Sequence, residues 1–281
     1  MSNAEQAEYW NSKVGETWAR MQEKLDRSFT PLTAALLSLA APKPGEHALD
    51  IGCGTGETTL ALAGAVGDEG TVLGLDLSEQ MLARARERAE ELLSEAEFRA
   101  ADVATFHEED GFDLIISRFG VMFFADPVAA FANVHRLAAP GGRLVFACWQ
   151  QPQDNLWATL PMQALKDVLP PQPPADPLAP GPFAFADPER VHDILDAAGW
   201  QDIAFHAFEF AMVVGQGEGE DALAEAVKFN LRIGPAARLV RDAGPEAETA
   251  APGLLKAALA PYLKDGQLGL PGSVWLVSAK A

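Results

Sequence analysis

A short apolar run, His47-Ala48-Leu49-Asp50-Ile51, stops at Gly52-Cys53-Gly54-Thr55-Gly56-Glu57 and gives way to a helical stretch from Thr58 to Val66. Strand, glycine turn and helix in that order open a parallel sheet, because glycines at the carboxyl end of a strand let backbone come close to a ligand. The alternation then repeats. Thr71–Asp76 reads as a second strand, and Ser78 caps a helix from Glu79 to about Ser94. Residues Phe98–Asp102 and Phe112–Ser117 read as third and fourth strands, Pro127–Leu137 as a helix, and Arg143–Trp149 as a fifth strand after a Pro140-Gly141-Gly142 turn. Strands alternating with helices predict an α/β fold with right-handed crossovers: a doubly wound, mostly parallel, seven-stranded sheet.

The flanks are less regular. Residues 1–45 form an N-terminal helical segment, with Tyr9, Trp10, Trp18 and Met21 on or near one face. Asn155 to Leu169 reads as helical. The stretch from Pro170 to Pro182 holds seven prolines and is expected to be irregular. Asp187-Pro188-Glu189 opens a helix to Ala198, Ile203–Val214 alternates as a sixth strand, and Ser273–Ala279 is the last. Between them, residues 215–269 read as an Ala-rich helical insertion, either a cap or a homodimer surface. Residues 46–214 and 270–281 then make one ligand-binding domain.

Charge narrows the partners. Lys and Arg number 21 against 40 Asp and Glu, a net charge of −19. That argues against nucleic acid and anionic lipid, which need a basic face. Cys53 and Cys148 are too few for a disulfide framework, and the five histidines lack metal-ligand spacing, so no metal site is expected. No apolar run is long enough to span a bilayer, and the N-terminus lacks a signal-peptide pattern. The expectation is a cytoplasmic protein without membrane insertion.

The glycine spacing is G-x-G-x-G, and Glu57 stands where a dinucleotide fingerprint needs its third glycine. Asp50 just before the loop opposes a pyrophosphate but suits a ligand carrying an ammonium group, and Glu57 near the helix start again disfavours phosphate. Asp76, ending the second strand, can accept from both hydroxyls of a ribose. Asp102, with the backbone of Val103, can read the edge of an adenine. An amino-acid end, an unphosphorylated ribose and an adenine together describe S-adenosylmethionine. Each residue also has a plainer reading: the glycines as a tight turn, Asp76 as a helix cap, Asp102 as a loop acid, Met81 as core, Cys53 as buried filler, and the histidines as surface or packing groups.

The stretches LDIGCGTGETTL, VLGLDLSEQMLARAR, ADV at 101–103, FDLIISRFGVMFF and LAAPGGRLVF, in that order over residues 46–149, resemble class I S-adenosylmethionine-dependent methyltransferases, nearest their ubiquinone/menaquinone-methyltransferase-like branch. The resemblance implies a methionine-end loop of Asp50, Gly52, Gly54, Thr55 and Gly56. It implies Asp76 on the ribose, Leu77 and Met81 against the adenine, and Asp102 with Val103 on its edge. Ser117 and Arg118 would line the methionine side with Phe119 close by, and Trp18 would fold over the cofactor. The implied activity is in-line methyl transfer to a small-molecule acceptor, giving S-adenosylhomocysteine, with no particular catalytic residue assigned. The N-terminal helices, Phe123, Phe124, Trp149, Trp157 and the insertion are candidates for the acceptor pocket. Two alternatives stand beside this reading: a non-catalytic S-adenosylmethionine-binding protein and a nicotinamide-dependent oxidoreductase.

Overall fold

A computed structural model describes residues 2–171, 176–218 and 220–281. Three helices lead: α1 (Asn3–Trp10), α2 (Lys13–Arg20) and α3 (Gln22–Ala40). The alternating region follows as β1 (His47–Ile51), α4 (Glu57–Val66), β2 (Thr71–Asp76), α5 (Glu79–Leu92), β3 (Glu97–Ala100), β4 (Phe112–Arg118), α6 (Pro127–Leu137) and β5 (Ala138–Trp149). Then come α7 (Leu156–Ala164), α8 (Pro188–Ala197), β6 (Gln201–Gln216), α9 (Glu220–Asn230), α10 (Pro235–Ala243), α11 (Pro245–Leu259), β7 (Leu263–Lys264) and β8 (Gln267–Lys280).

The sheet order is β3-β2-β1-β4-β5-β8-β6, with β7 pairing only to β8. Strands β1 to β5 run parallel, and β8 lies antiparallel between β5 and β6. Chain order reverses between β1 and β4. Their carboxyl ends therefore open side by side, the crevice where doubly wound sheets take ligands. The central strands are buried on both faces: Leu49, Ile115 and Phe146 have no exposed surface. Leu25, Phe29, Leu32 and Leu36 recur at helical spacing and bury one face of α3, which packs on β4, β5, β6 and β8. Burying four such side chains contributes about 1.5–3 kcal/mol apiece.

Local signals behave as expected at several ends. Ser78 caps α5 through the Met81 N–H and Asp187 caps α8 through Glu189; Asp126, not singled out beforehand, caps α6 through Ala129. The differences have identifiable causes. The sheet has an eighth strand, β7, a two-residue hairpin partner closed by the turn at Asp265 and Gly266. The third strand ends at Ala100, so Asp102 lies in the following loop, where its own carboxylate and carbonyl cap a turn at Ala104 and Thr105. The fifth strand starts earlier, at Ala138, across a register shift opposite Phe112 and Leu114. Helix α7 stops at Ala164, short of Leu169, and turns follow. Of the proline-rich stretch, residues 172–175 lie outside the described residues; its flanks are irregular, as expected.

The insertion does interrupt the β6–β8 hairpin, but its helical part is α9 to α11 and a 3-10 turn at Ala260–Tyr262. From Leu263 it is strand, because β6 runs on to Gln216 and offers a ladder to Gln267–Gly269. Helix α9 packs on β6 and is fastened to α3: Glu225 takes Lys24 at 2.7 Å and Arg27 at 3.0 Å. No helix among the described residues is long and apolar enough to cross a membrane.

Candidate functional site

Asp50, on β1 one residue before the glycine loop, is fully buried. Its Oδ2 accepts from the hydroxyls of Thr58 and, at 2.7 Å, Thr59; its Oδ1 has no partner. Burial pushes its pKa up to about 6, against the two threonine hydrogen bonds and the charge of Arg118; the charge of Asp76 adds to the rise. In the unfolded chain the carboxyl loses its proton near 3.8, below the folded value. Stability from the neutral form is therefore full below about pH 4 and is lost as pH rises to about 6. Asp50→Asn should remove this dependence and raise unliganded stability at pH 7 by about 3 kcal/mol. Denaturant unfolding from pH 4 to 8 checks it, and equal slopes in the two proteins would refute it.

The loop glycines adopt conformations closed to most side chains: φ is +68° at Gly52, +55° at Gly54 and +83° at Gly56. A Cβ on Gly52 would lie 2.7 Å from the Gly120 Cα, so the loops after β1 and β4 touch backbone to backbone. Thr55 is half-buried, and its carbonyl accepts from Arg88 at 2.7 Å. Cys53 is buried and its thiol is pushed well up, first by burial and then by Asp76 and Asp50; this is the setting of an inert thiol.

Asp76 ends β2. Its two oxygens take backbone N–H groups, Oδ2 from Gly54 and Oδ1 from Ser78, both at 2.8 Å. Burial raises its pKa, and the N–H bonds from Ser78, Gly54 and Leu77 work against the rise. The half-buried Leu77 follows, and Met81 is buried with its sulfur 3.9 Å from where a Gly54 Cβ would stand. Across the crevice, Asp102 takes the Ala104 N–H at 2.9 Å and the Asn3 amide at 2.5 Å. Val103 is buried, its carbonyl accepts from Asn133, and its N–H has no partner among the described residues.

On the other side, Ser117 is a clasp: its Oγ donates to the Ile51 carbonyl at 2.7 Å and accepts from the Gly120 N–H at 3.2 Å. Arg118 is held by Glu57 and by the Thr33 hydroxyl at 2.6 Å, and lies 5.2 Å over the Phe29 ring. Phe119, at φ +69°, stacks on Trp149 with centroids 4.3 Å apart. Trp18 meets Trp10 edge-on at 5.6 Å, and Trp10 meets Phe123 at 5.5 Å. The histidines lie elsewhere: His47 stacks on Phe112, and His135 meets Trp200. Among the described residues no cluster of three or more His, Cys, Asp or Glu could hold a metal ion.

Sequence reasoning missed the polar seam that ties α1 and the turn after it to the loops following β2 and β3. Asn3 reaches Asp102, Asn11 reaches the Leu77 carbonyl, and Ser78 Oγ donates to the Trp10 carbonyl at 2.8 Å. It also missed the partner of Arg118. Nothing local in the sequence signals either.

A methyltransferase-domain family model matches residues 42–177. Nocamycin O-methyltransferase of Saccharothrix syringae is 33% identical over 233 residues, covering 76% of this chain and 83% of that enzyme. The chain belongs to the class I S-adenosylmethionine-dependent methyltransferases. Demethylmenaquinone methyltransferase of Bacillus mycoides is 38% identical over 112 residues, which cover 39% of this methyltransferase and only 47% of that one. Magnesium protoporphyrin IX methyltransferase of Synechocystis shares the fold, with a TM-score of 0.57 at 16% identity over 99% of both chains. Phosphoethanolamine N-methyltransferase 2 of Haemonchus contortus does so with a TM-score of 0.55 at 18% identity, covering 92% and 56%. The methyl donor of this methyltransferase is S-adenosylmethionine. The residues present fit it: a loop where a Cβ would collide, beside a buried carboxylate oxygen with no protein partner.

Proposed function

We propose that this methyltransferase binds S-adenosylmethionine across the carboxyl ends of β1 to β4 and methylates a small, apolar acceptor beside β5. The free Oδ1 of Asp50 suits the ammonium end of an amino acid, since an ionised carboxylate left buried and unpaired is costly. Asp76, already fixed by two N–H groups, keeps lone pairs for two ribose hydroxyls. Asp102 with the free N–H of Val103 suits one edge of the adenine. Leu77 and Met81 suit its face, and Thr55 belongs to the same loop. Ser117 acts through the loops it clasps, and Arg118 through Glu57, rather than by reaching the donor.

When bound, the donor supplies a methyl group on a positive sulfonium, already activated for in-line attack. The protein's task is then to orient the acceptor and exclude water. The observation that carries the acceptor class is an aromatic wall. Trp149, at the end of β5, packs on Phe119, Trp157, Phe29 and Phe210, and Trp157 stacks on Phe183. Such a wall favours a flat apolar molecule over a sugar or a charged polymer. A net charge of −19 supports the same exclusion of nucleic acid. We read residues 1–45 as a strap over the donor and 215–269 as a cap, tied together through Glu225. Two free buried thiols fit a reducing cytoplasm.

Calorimetric titration with S-adenosylhomocysteine tests the donor site, and micromolar binding is expected. Absence of binding in folded protein, or binding of NADH instead, would overturn the reading. Turnover with an aromatic acceptor then separates an enzyme from a non-catalytic binder.

A further inference from the structure

Buried polar side chains nearly always find partners, so the exceptions point to missing ones. Five buried side-chain atoms among the described residues lack a partner: Nε2 and Oε1 of Gln6, Nε of Arg27, Oδ1 of Asp50 and Oε1 of Gln80. Gln6 alone leaves both a donor and an acceptor unmet, and it is only 2% exposed.

Its position is fixed by its neighbours on α1. Residues 3, 6 and 10 share one helix face. Asn3 on that face bonds Asp102 in the loop after β3, and the Trp10 carbonyl takes the Ser78 hydroxyl after β2. With a rise of about 1.5 Å per residue, Gln6 sits roughly 4.5 Å beyond Asn3 along the helix axis, on the way to Trp10. It therefore lies between the contacts of α1 with Asp102 and with Ser78, in the loops after β3 and β2 that carry the residues assigned above to the adenine.

We propose that Gln6 is an adenine-recognition residue, its carboxamide pairing with the exocyclic amine and N7. A carboxamide presents a donor and an acceptor side by side, the complement of that edge. Adenine flanks its amine with only two ring nitrogens, N1 and N7. Asp102 and the Val103 N–H are matched to the amine and N1, which leaves the amine's second hydrogen and N7 for Gln6. The donor thereby satisfies the orphaned amide, and α1 is closed by the base it covers. Gln6 acts in binding and not in the methyl transfer itself.

This inference rests on the donor site proposed above. Its test compares S-adenosylhomocysteine with its 7-deaza analogue, which lacks only the N7 acceptor, by calorimetry on the whole protein. Wild type should bind the parent roughly tenfold more tightly than the analogue. Gln6→Leu and Gln6→Met should lose that preference, weakening the parent about thirtyfold and the analogue, which keeps only the amine bond to lose, about threefold. Their melting temperatures without ligand should equal or exceed wild type, because an unsatisfied buried amide has gone. Equal affinities in wild type, a preference kept in both variants, or equal weakening of both ligands would overturn the assignment to Gln6. A folded wild type that binds neither ligand would overturn the donor site and this inference with it.

Discussion

Asp76→Ala is expected to weaken S-adenosylhomocysteine binding a hundredfold or more. The carboxylate is held rigidly, with one backbone N–H on each oxygen, and is buried at the end of β2. A preorganised charged acceptor loses little freedom when two ribose hydroxyls arrive. Hydrogen bonds to a charged group are worth about 1.5–3 kcal/mol each, so two lost bonds amount to roughly 3–6 kcal/mol. The lower bound alone is about a hundredfold in affinity. The same substitution strands the N–H groups of Gly54 and Ser78, so melting temperature without ligand should fall as well. Calorimetry and thermal melts on one preparation separate the two effects. A folded Asp76→Ala protein that binds as tightly as wild type would remove Asp76 from the ribose.

The alternating core was legible in the sequence for a physical reason. Helix α6 begins at Pro127 and ends at Leu137 as expected, because an Asp cap, a proline at the first turn and one apolar stripe agree there. The G-x-G-x-G loop was legible because only glycine tolerates three positive φ angles in five residues. Asp102 was harder: it continues an apolar run on paper, but its side chain bends the chain into a turn before pairing can extend. Strand β8 was read too short at its start, where Leu268-Gly269-Leu270-Pro271-Gly272 carries turn residues. Pairing with β6 overrides that preference and buries Leu268 and Leu270 completely.

The contacts of the N-terminal helices were not legible at all. They join Asn3 to Asp102 and Asn11 to Leu77, residues far apart in the chain, and no periodicity records which polar groups meet across such distances. Arg118 illustrates the same limit. Its place at the end of β4 was right, but its partners come from α3 and α4, far away in the chain, and no local pattern names them.

Gly52→Ala should be the most damaging change to the glycine loop, and Gly54→Ala is its control. Both positions have positive φ, so alanine costs about 1–2 kcal/mol at either one from backbone strain alone. They differ in space. A Cβ at Gly54 finds its nearest neighbour 3.9 Å away, the sulfur of Met81. At Gly52 it meets the Gly120 Cα at 2.7 Å, and Gly120 is held in place by its N–H bond to the Ser117 hydroxyl at 3.2 Å. Both loops hang from central strands, and Ser117 clasps one to the other. Relieving the collision means parting β1 from β4 at their carboxyl ends, an overpacking cost of about 1–3 kcal/mol beyond the strain. For a chain of this size the sum lowers the melting temperature by on the order of 10 °C. The same displacement moves Asp50 away from its site, so binding of S-adenosylhomocysteine should be lost at Gly52→Ala and only weakened at Gly54→Ala. Melts and titrations of the pair decide it: equal behaviour of the two variants would mean that the loops can separate freely, and that the close approach of Gly52 to Gly120 does not shape the donor site.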